Sequence, residues 1–257
     1  MQRKKRIAEE KRLEEDRRLA EEKRIAEQKR LEEEMRIAEE KRIAEEKRLA
    51  EERRIAEEKR KAEEKRKITE YNSSIRNKLL GLDELFDFLE DEKCFISITE
   101  VKPATYQKVM GKNPSLKDGT IGLRVNNVNW YDAVIFCNKL SEKLGLTPVY
   151  SVNGIKDTNK WRYNESNPES FKKKVEIDYS AIGIRLPTES EIINAYNNDK
   201  LRVGTMYGYK EYFYEWTSDG TSGFRIMVGG RHFKDSWESN PFRRNEDISF
   251  RIVCTAK

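Results

Sequence analysis

Large apolar residues recur every six positions through the first part of the chain. They lie at Ile7, Leu13, Leu19, Ile25, Leu31, Ile37, Ile43, Leu49 and Ile55. The residues between them are mostly Ala, Glu, Lys and Arg, which favour helix, and neither Gly nor Pro occurs before Gly81. The pattern predicts a helical arm over residues 1–70.

The six-residue period decides which kind of helix this arm forms. Each residue advances an α-helix by about 100°, so six residues leave a net rotation of about 240°. Successive Ile and Leu side chains therefore point in three directions, and they form no seam with the period of about 3.5 residues that a coiled coil needs. We interpret the arm as a monomeric, solvated single helix about 95 Å long. An irregular coiled coil is the alternative.

Side-chain pairs along the helix are expected to stabilise the arm in place of a core. Arg6 faces Glu9 and Glu10, and Lys41 faces Glu45. Each pair contributes only about 0.2–0.5 kcal/mol, but many overlap along the arm. In the repeat, the basic residue of each pair mostly precedes the acidic one, which is the weaker orientation.

The distribution of charged residues limits the kinds of partner that the chain is expected to bind. Residues 1–70 hold 25 Lys and Arg against 22 Asp and Glu, and the two signs alternate. A nucleic-acid surface needs basic residues without neighbouring acids, so we expect no nucleic-acid partner. No apolar run reaches the roughly 18 residues of a membrane span, and no signal peptide follows the basic start. The chain as given is expected to be soluble and cytoplasmic, or exported if a segment precedes it.

A boundary is predicted at residues 71–74, where Tyr-Asn-Ser-Ser interrupts the repeat and offers helix caps. A short connecting helix is expected over residues 71–93, with apolar residues at helical spacing. These are Ile75, Leu79, Leu82, Leu85, Phe86 and Leu89. A separate domain is expected over residues 94–257.

In that domain the periodicity changes often, as in a mixed α+β fold. Strands are predicted near residues 95–99, 149–152, 212–216, 224–228 and 249–254. A helix should run from Pro103 to Gly111, a second should start after Asn129 and stop at Gly145, and a third should start after Thr188. The predicted fold class is α+β, with a long single α-helix preceding a domain of much irregular structure.

Several motifs carry a family resemblance. They are Glu100-Val101, residues 106–115, 128–133, 136–143, 145–150 and 183–189, Glu215-Trp216, Arg225 with Gly229-Gly230, and Phe250-Arg251. Their order over about residues 94–254 resembles the formylglycine-generating-enzyme (sulfatase-modifying factor) family. The resemblance implies a variant of the C-type lectin fold.

The chain departs from that family at its catalytic positions. The resemblance implies two copper-binding cysteines after the Gly-Gly pair, and Lys234 and Ser239 stand there instead. Neither residue supplies the thiolate that copper and redox chemistry require. The implied calcium loop matches at Glu215, but Lys210 stands where an asparagine ligand is expected. We therefore assign no catalytic residue and no metal ligand, and we leave calcium open as the sole cofactor.

Cysteine and histidine usage supports this assignment. Cys94, Cys137 and Cys254 are odd in number and widely spaced, which argues against disulfides and structural zinc. Cys137 falls on the apolar face of a predicted helix, so it is expected in the core. With one histidine, His232, the chain offers no triad and no multi-histidine iron site. Glu189 and Glu191 are expected to cap a helix.

With no catalytic residue or metal ligand assigned, the candidate site is a binding surface. The segment after Gly230 corresponds to the lining of the family's substrate groove, and it is rich in the residue types that carry binding energy. The candidate ligand-binding residues are Arg231, His232, Lys234, Asp235, Trp237, Glu238, Arg243 and Arg244. The opposing interpretation places Phe233, Trp237 and Phe242 in the core.

Four hypotheses about function follow. The leading one is a non-catalytic recognition module on a helical rod, binding a protein, a peptide or a carbohydrate. A divergent formylglycine-generating-type oxidase or hydroxylase is the first alternative. A hypervariable lectin-fold display protein is the second, to be tested by a near-copy of the stretch encoding residues 225–254 beside a reverse transcriptase. A structural spacer is the third.

The missing thiols make a direct prediction. The purified protein should not oxidise a sulfatase-type cysteine peptide in the presence of Cu(I), because Lys234 and Ser239 cannot bind copper as thiolates do. Oxygen consumption should stay at the level of a blank with metal and peptide alone. Turnover above that blank would favour the oxidase hypothesis.

Overall fold

The computed structural model describes residues 2–115, 124–201, 213–221, 223–230 and 235–256. The chain divides into two compact units, Met1–Arg66 and Lys67–Lys257. The structure confirms the predicted fold class, since a long α-helix, α1 (Gln2–Leu80), precedes a mixed α+β region. No helix within the described ranges is long and apolar enough to cross a membrane.

In the first unit, the apolar residues of α1 are all solvent-exposed. The exposed fraction of the nine periodic Ile and Leu side chains runs from 41% at Ile55 to 56% at Leu13. Because the exposure is similar on every side of the helix, the arm has no apolar face. This agrees with the three-direction arrangement expected from the six-residue period.

The ion pairs of the arm correct one expectation. The shortest contacts place Glu three residues before Arg, as in Glu33–Arg36 and Glu45–Arg48, with N–O distances of 2.7 and 2.6 Å. Pairs with Arg first, such as Arg30–Glu34, are longer at 3.6 Å. The predicted order was therefore wrong for the closest pairs, which use the favourable orientation. Each is well exposed, so each contributes little alone.

The structure contradicts the predicted break at residues 71–74. Helix α1 continues to Leu80, because Ile75 and Leu79 are buried in the core of the second unit. The Ser73 hydroxyl donates to the carbonyl of Thr69 at 2.9 Å, a bond that keeps Ser73 within the helix rather than capping it. The prediction of a separate connecting helix over residues 71–93 is therefore wrong.

The end of that segment forms a strand. Strand β1 (Phe86–Leu89) pairs antiparallel with β2 (Cys94–Ser97). The helical spacing of the Leu and Phe residues misled the prediction, because Phe86 and Phe88 also alternate as in a strand. The rings of Phe88 and Phe95 contact each other across the pair with centroids 5.0 Å apart.

In the part of the second unit that the structure describes, there are three further α-helices. They are α2 (Pro103–Met110), α3 (Trp130–Lys143) and α4 (Glu189–Asn197). Asn129 and Thr188 each form a capping box with the residue three positions later, as predicted for Thr188. Gly111 ends α2 with φ of 80°, a conformation that favours glycine.

Among the described residues, ten short strands form three sheets. The remaining strands are β3 (Tyr150–Ser151), β4 (Glu176–Ile177), β5 (Ile184–Arg185), β6 (Tyr214–Gly220), β7 (Arg225–Gly229), β8 (Asp235–Ser239), β9 (Ile248–Ser249) and β10 (Val253–Thr255). One sheet has the order β1-β2-β10-β5, another β8-β7-β6-β9, and β3 pairs with β4. Strand β8 was not predicted, because Asp-Ser-Trp-Glu-Ser lacks an apolar alternation.

The core fills the space between helix α3 and the two larger sheets. Trp130, Phe136, Tyr150, Trp216 and Phe250 are among its fully buried side chains. Cys137 is also fully buried, which confirms the expected core position. Two short 3₁₀ turns, Thr158–Trp161 and Pro168–Ser170, lie in the long connection between β3 and β4.

The exposed apolar residues of α1 lead to a prediction about the isolated arm. A peptide of residues 6–68 should be helical and monomeric at micromolar concentration, and it should melt gradually, because local pairs stabilise it. Sedimentation equilibrium and circular dichroism test these two properties. As a control, replacing Glu33, Glu39, Glu45 and Glu51 with Gln should lower the helix content in low salt. A micromolar dimer would contradict the prediction.

Candidate functional site

The candidate site is built on β8, the last strand of its sheet. Asp235, Ser236, Trp237 and Glu238 are exposed, and Ser239 is buried. One side of β8 pairs with β7, with Trp237 opposite Met227. Within the described residues no strand pairs with its other side. Successive side chains of a strand alternate between faces, so Trp237 shares one face with Asp235 and Ser239.

Trp237 is the principal exposed aromatic of this face. Its exposed fraction is 52%, while Trp130, Trp161 and Trp216 are 0, 1 and 0% exposed. The Trp237 ring meets the edge of Tyr214 at a centroid distance of 6.4 Å. The interpretation that places Trp237 in the core is therefore wrong for this residue.

Gly229 allows the backbones of β7 and β6 to approach each other closely. A β-carbon at Gly229 would lie 1.9 Å from the carbonyl oxygen of Phe213. Gly229 also stands between Tyr214 and Asp235 in the register of the sheet. Because it has no side chain, the rings of Tyr214 and Trp237 can meet across β7.

The N-terminus of α3 lies beneath the inner part of this sheet face. The Trp130 indole nitrogen donates to the carbonyl of Thr217 at 2.9 Å, which fixes the ring against β6. The guanidinium of Arg225 lies over the Trp130 ring, 3.6 Å from its centroid. Tyr131 stacks on Phe242 at 5.0 Å, so Phe242 belongs to the margin of the core.

Arg243 and Arg244 have different surroundings. Arg243 is exposed, whereas the Nε and Nη2 atoms of Arg244 donate to the two carboxylate oxygens of Asp132, each at 2.9 Å. Tyr163 donates to Asp132 as well, at 3.2 Å, and burial raises the pKa of Tyr163. Arg244 thus joins the last segment of the chain to the N-terminus of α3, and Arg243 is the arginine open to a partner.

The eight candidate residues are therefore only partly brought together. Asp235 and Trp237 share a face of β8, and Glu238 alternates to the opposite face. Arg243 lies in the exposed segment after β8, and Arg244 is held by Asp132. Arg231, His232 and Lys234 lie outside the described residues, as do Phe233 and Lys210.

The three cysteines are unsuited to thiol chemistry. Cys94, Cys137 and Cys254 are free and buried. Burial raises the pKa of all three, that of Cys254 to about 12, so the thiolate is disfavoured. Ser239, at the second implied cysteine position, is also buried, 5% exposed, opposite Arg225.

Glu215, which matched a calcium ligand, is fully buried against Arg251. The Nε and Nη2 atoms of Arg251 donate to its two carboxylate oxygens, both at 2.5 Å. Arg251 Nη1 donates further to the carbonyls of Ser97 and Ile98. Both oxygens of Glu215 thus accept from a guanidinium. Within the described residues no group of three or more His, Cys, Asp or Glu is placed to hold a metal ion.

Glu191 has the capping role expected of it. Its carboxylate accepts from the backbone of Thr188 at 2.7 Å and from both terminal nitrogens of Arg185. Its pKa is lowered, because the hydrogen bonds and charge of Arg185 outweigh the effect of burial. Glu189 takes part in a different bond, in which its backbone amide donates to the carboxylate of Asp219 at 2.5 Å.

Sequence reasoning missed one residue of this face. Arg225 was noted only within a family motif, yet it is 5% exposed and contacts Trp130. The signal was its position at the start of a predicted strand, where a charged residue among Phe, Ile, Met and Val is unusual. Burial of that charge was not deducible without the register of β7.

Comparison with known proteins gives partial similarities. No protein-family model matches the chain. Over 97 residues, 38% of the chain, it is 37% identical to the chaperone protein LppX of Paenibacillus barcinonensis. That stretch spans 33% of LppX, so the chain covers about a third of this curated relative.

Two solved structures show distant likeness. Treponema denticola variable protein 1 has a TM-score of 0.47 and 23% identity, over 67% of this chain and 93% of that one. CarF has a TM-score of 0.46 and 19% identity, over 64% of this chain and 87% of that one. Both TM-scores lie below 0.5, so neither likeness establishes a shared fold.

The buried pair of Glu215 and Arg251 yields a stability prediction. Arg251→Met should lower the free energy of unfolding by about 3–5 kcal/mol at neutral pH, because it leaves the Glu215 carboxylate buried without its partner. The exposed Arg243→Met is the matched control and should change stability by less than about 0.5 kcal/mol. Urea unfolding followed by circular dichroism measures both.

The pH dependence of this loss identifies its cause. Burial already raises the pKa of Glu215 above its ordinary value, and removal of Arg251 should raise it further. A carboxyl with a raised folded-state pKa destabilises increasingly as pH rises through the unfolded and then the folded pKa. The deficit of Arg251→Met should therefore shrink in acid. A deficit independent of pH would point to lost packing instead.

Proposed function

We propose that this chain is a non-catalytic recognition module that binds an extended polypeptide segment along β8. The observation that carries the proposal is the half-exposed Trp237 on a strand whose outer edge pairs with no other strand among the described residues. Tryptophan is among the residue types most enriched in binding hot spots.

The edge of β8 supports an extended partner in particular. An edge strand presents a row of backbone N–H and C=O groups that a further strand can pair with. Such β-augmentation obtains affinity from main-chain hydrogen bonds and specificity from alternate side chains. Here Trp237 would anchor one side chain of the partner. The carboxylate of Asp235, exposed on the same face, favours a basic neighbour in that partner.

The sequence similarity to a chaperone protein is a second, weaker support for a polypeptide partner. It extends over a third of LppX alone, so the activity of that protein is not carried over. Recognition of this kind needs no reactive group, which fits a face whose described residues include no thiol and no metal cluster.

Peptides selected on the full chain from a random phage-displayed library provide the test. Trp237→Ala should weaken their binding by about 2 kcal/mol or more, roughly 30-fold, because it removes the anchor. Its stability should fall by less than about 1 kcal/mol, since the side chain is half exposed. Phe224→Ala is the matched control, because Phe224 is 56% exposed but lies outside β8, and it should bind normally.

Fluorescence provides an independent measurement of the same surface. Three of the four tryptophans are buried, so iodide should quench only the emission of Trp237. Trp237→Phe should remove the quenchable fraction, and a bound peptide should protect it. Peptides that bind Trp237→Ala as tightly as the natural chain would overturn the proposal.

A further inference from the structure

Arg225 differs from the other buried arginines of the second unit. Arg185, Arg251 and Arg124 are likewise about nine-tenths or more buried, and each has a glutamate partner, at 2.5, 2.5 and 3.9 Å. Arg225 is 5% exposed, and no carboxylate among the described residues lies within ion-pair distance of it. A buried cation without an anionic partner is costly, so an arginine in this position is unusual.

The contacts that Arg225 does make are weak ones for a guanidinium. Its planar group lies over the ring of Trp130, and its Nη1 donates to the carbonyl of Ser218 at 3.4 Å. Its Nε is buried without an acceptor. Nη2 donates to no described residue, but it is not fully buried as Nε is. Burial lowers the pKa of Arg225, against the opposing effects of Tyr131 and other nearby groups.

The Nε and Nη2 atoms of Arg225 have no acceptor among the described residues, and these are the atoms through which other arginines of this protein bind carboxylates. Arg251 and Arg244 both bind a carboxylate through Nε and Nη2, the side edge of the guanidinium. That edge matches the two oxygens of a carboxylate or a phosphate in a bidentate arrangement. In Arg225 the same edge is without an acceptor, while Nη1 and the stacked ring hold the group in place.

The position of Arg225 relates this edge to the proposed binding face. In the register of the sheet, Arg225 lies opposite Ser239, and Met227 lies opposite Trp237. Arg225 and Trp237 therefore belong to the same face, separated by one step of two residues along the sheet, about 7 Å. Near Arg225, Tyr179 is 48% exposed and its hydroxyl is 3.3 Å from that of Ser218.

We infer that Arg225 is the receptor for an oxyanion, a carboxylate or a phosphate group of the bound partner, which accepts from the Nη2 end of its guanidinium. The inference rests on the proposed recognition function because it assigns this anion to the bound partner. The site itself requires only the anion, so small anions bind it without Trp237.

The test uses the full chain with ¹⁵N-labelled arginine and two probes, inorganic phosphate and acetate. The Nε–Hε signal of Arg225, assigned by its loss in Arg225→Lys, should shift saturably with either probe at constant ionic strength, with a Kd on the order of millimolar. The signal of the exposed Arg243 should move only weakly and without saturation. A stronger response to phosphate would identify a phosphorylated partner, and a stronger response to acetate an acidic one.

Two variants separate this inference from the proposed function. Trp237→Ala should weaken peptide binding roughly 30-fold but leave the anion titration of Arg225 unchanged. Arg225→Lys, which keeps the charge but loses the fork, should weaken the selected peptides by about tenfold. If Arg225→Lys fails to fold, through-bond correlation from the backbone assigns the Arg225 signal in the natural chain, and its titration decides alone. No saturable shift at Arg225, or equal shifts at Arg225 and Arg243, would overturn the inference.

Discussion

The fully buried guanidinium of Arg251 joins the two larger sheets of the second unit. It lies where the chain crosses from β9, in one sheet, to β10, in the other. On one side it holds the carboxylate of Glu215 in β6, and on the other it donates to the carbonyls at the end of β2. Because each of these buried groups would be left unsatisfied without the others, the two sheets are fixed in one arrangement.

Further buried charges secure the helices to this framework in the same way. Glu191 caps α4 and binds Arg185 on β5, and Asp132 caps α3 and binds Arg244. Each carboxylate accepts backbone and guanidinium donors together, so helix capping and tertiary packing depend on the same atoms. Apolar burial supplies most of the stabilising free energy, and these pairs determine which arrangement it stabilises.

The candidate binding face contrasts with these paired buried charges. On β8 an aromatic side chain and a row of backbone groups are left open, and beside them Arg225 has no carboxylate partner among the described residues. The other buried arginines that the structure describes in the second unit each have a glutamate partner, so Arg225 is the exception among them. Arg225 and Trp237 lie on one sheet face, which is where a partner would contact both of them.

The sequence by itself determined the features that depend on neighbouring residues. The six-residue period predicted a helix with no apolar face, and the predicted capping box at Thr188 and stop at Gly111 are present, because propensity and capping act within a few residues. It also predicted that Cys137 is buried. The motif resemblance directed attention to the segment after Gly230, which contains Trp237.

Only the tertiary structure decided the features that depend on distant partners. Burial of Ile75 and Leu79 carried α1 past its expected end, and pairing with β2 converted residues 86–89 from an expected helix to a strand. The partners of Arg244 and Arg251, and the absence of a carboxylate partner for Arg225 within the described residues, depend on register between segments more than 30 residues apart in sequence. Local pattern carries no information about such pairings, since ion pairs and strand registers are selected by the energy of the whole packed arrangement.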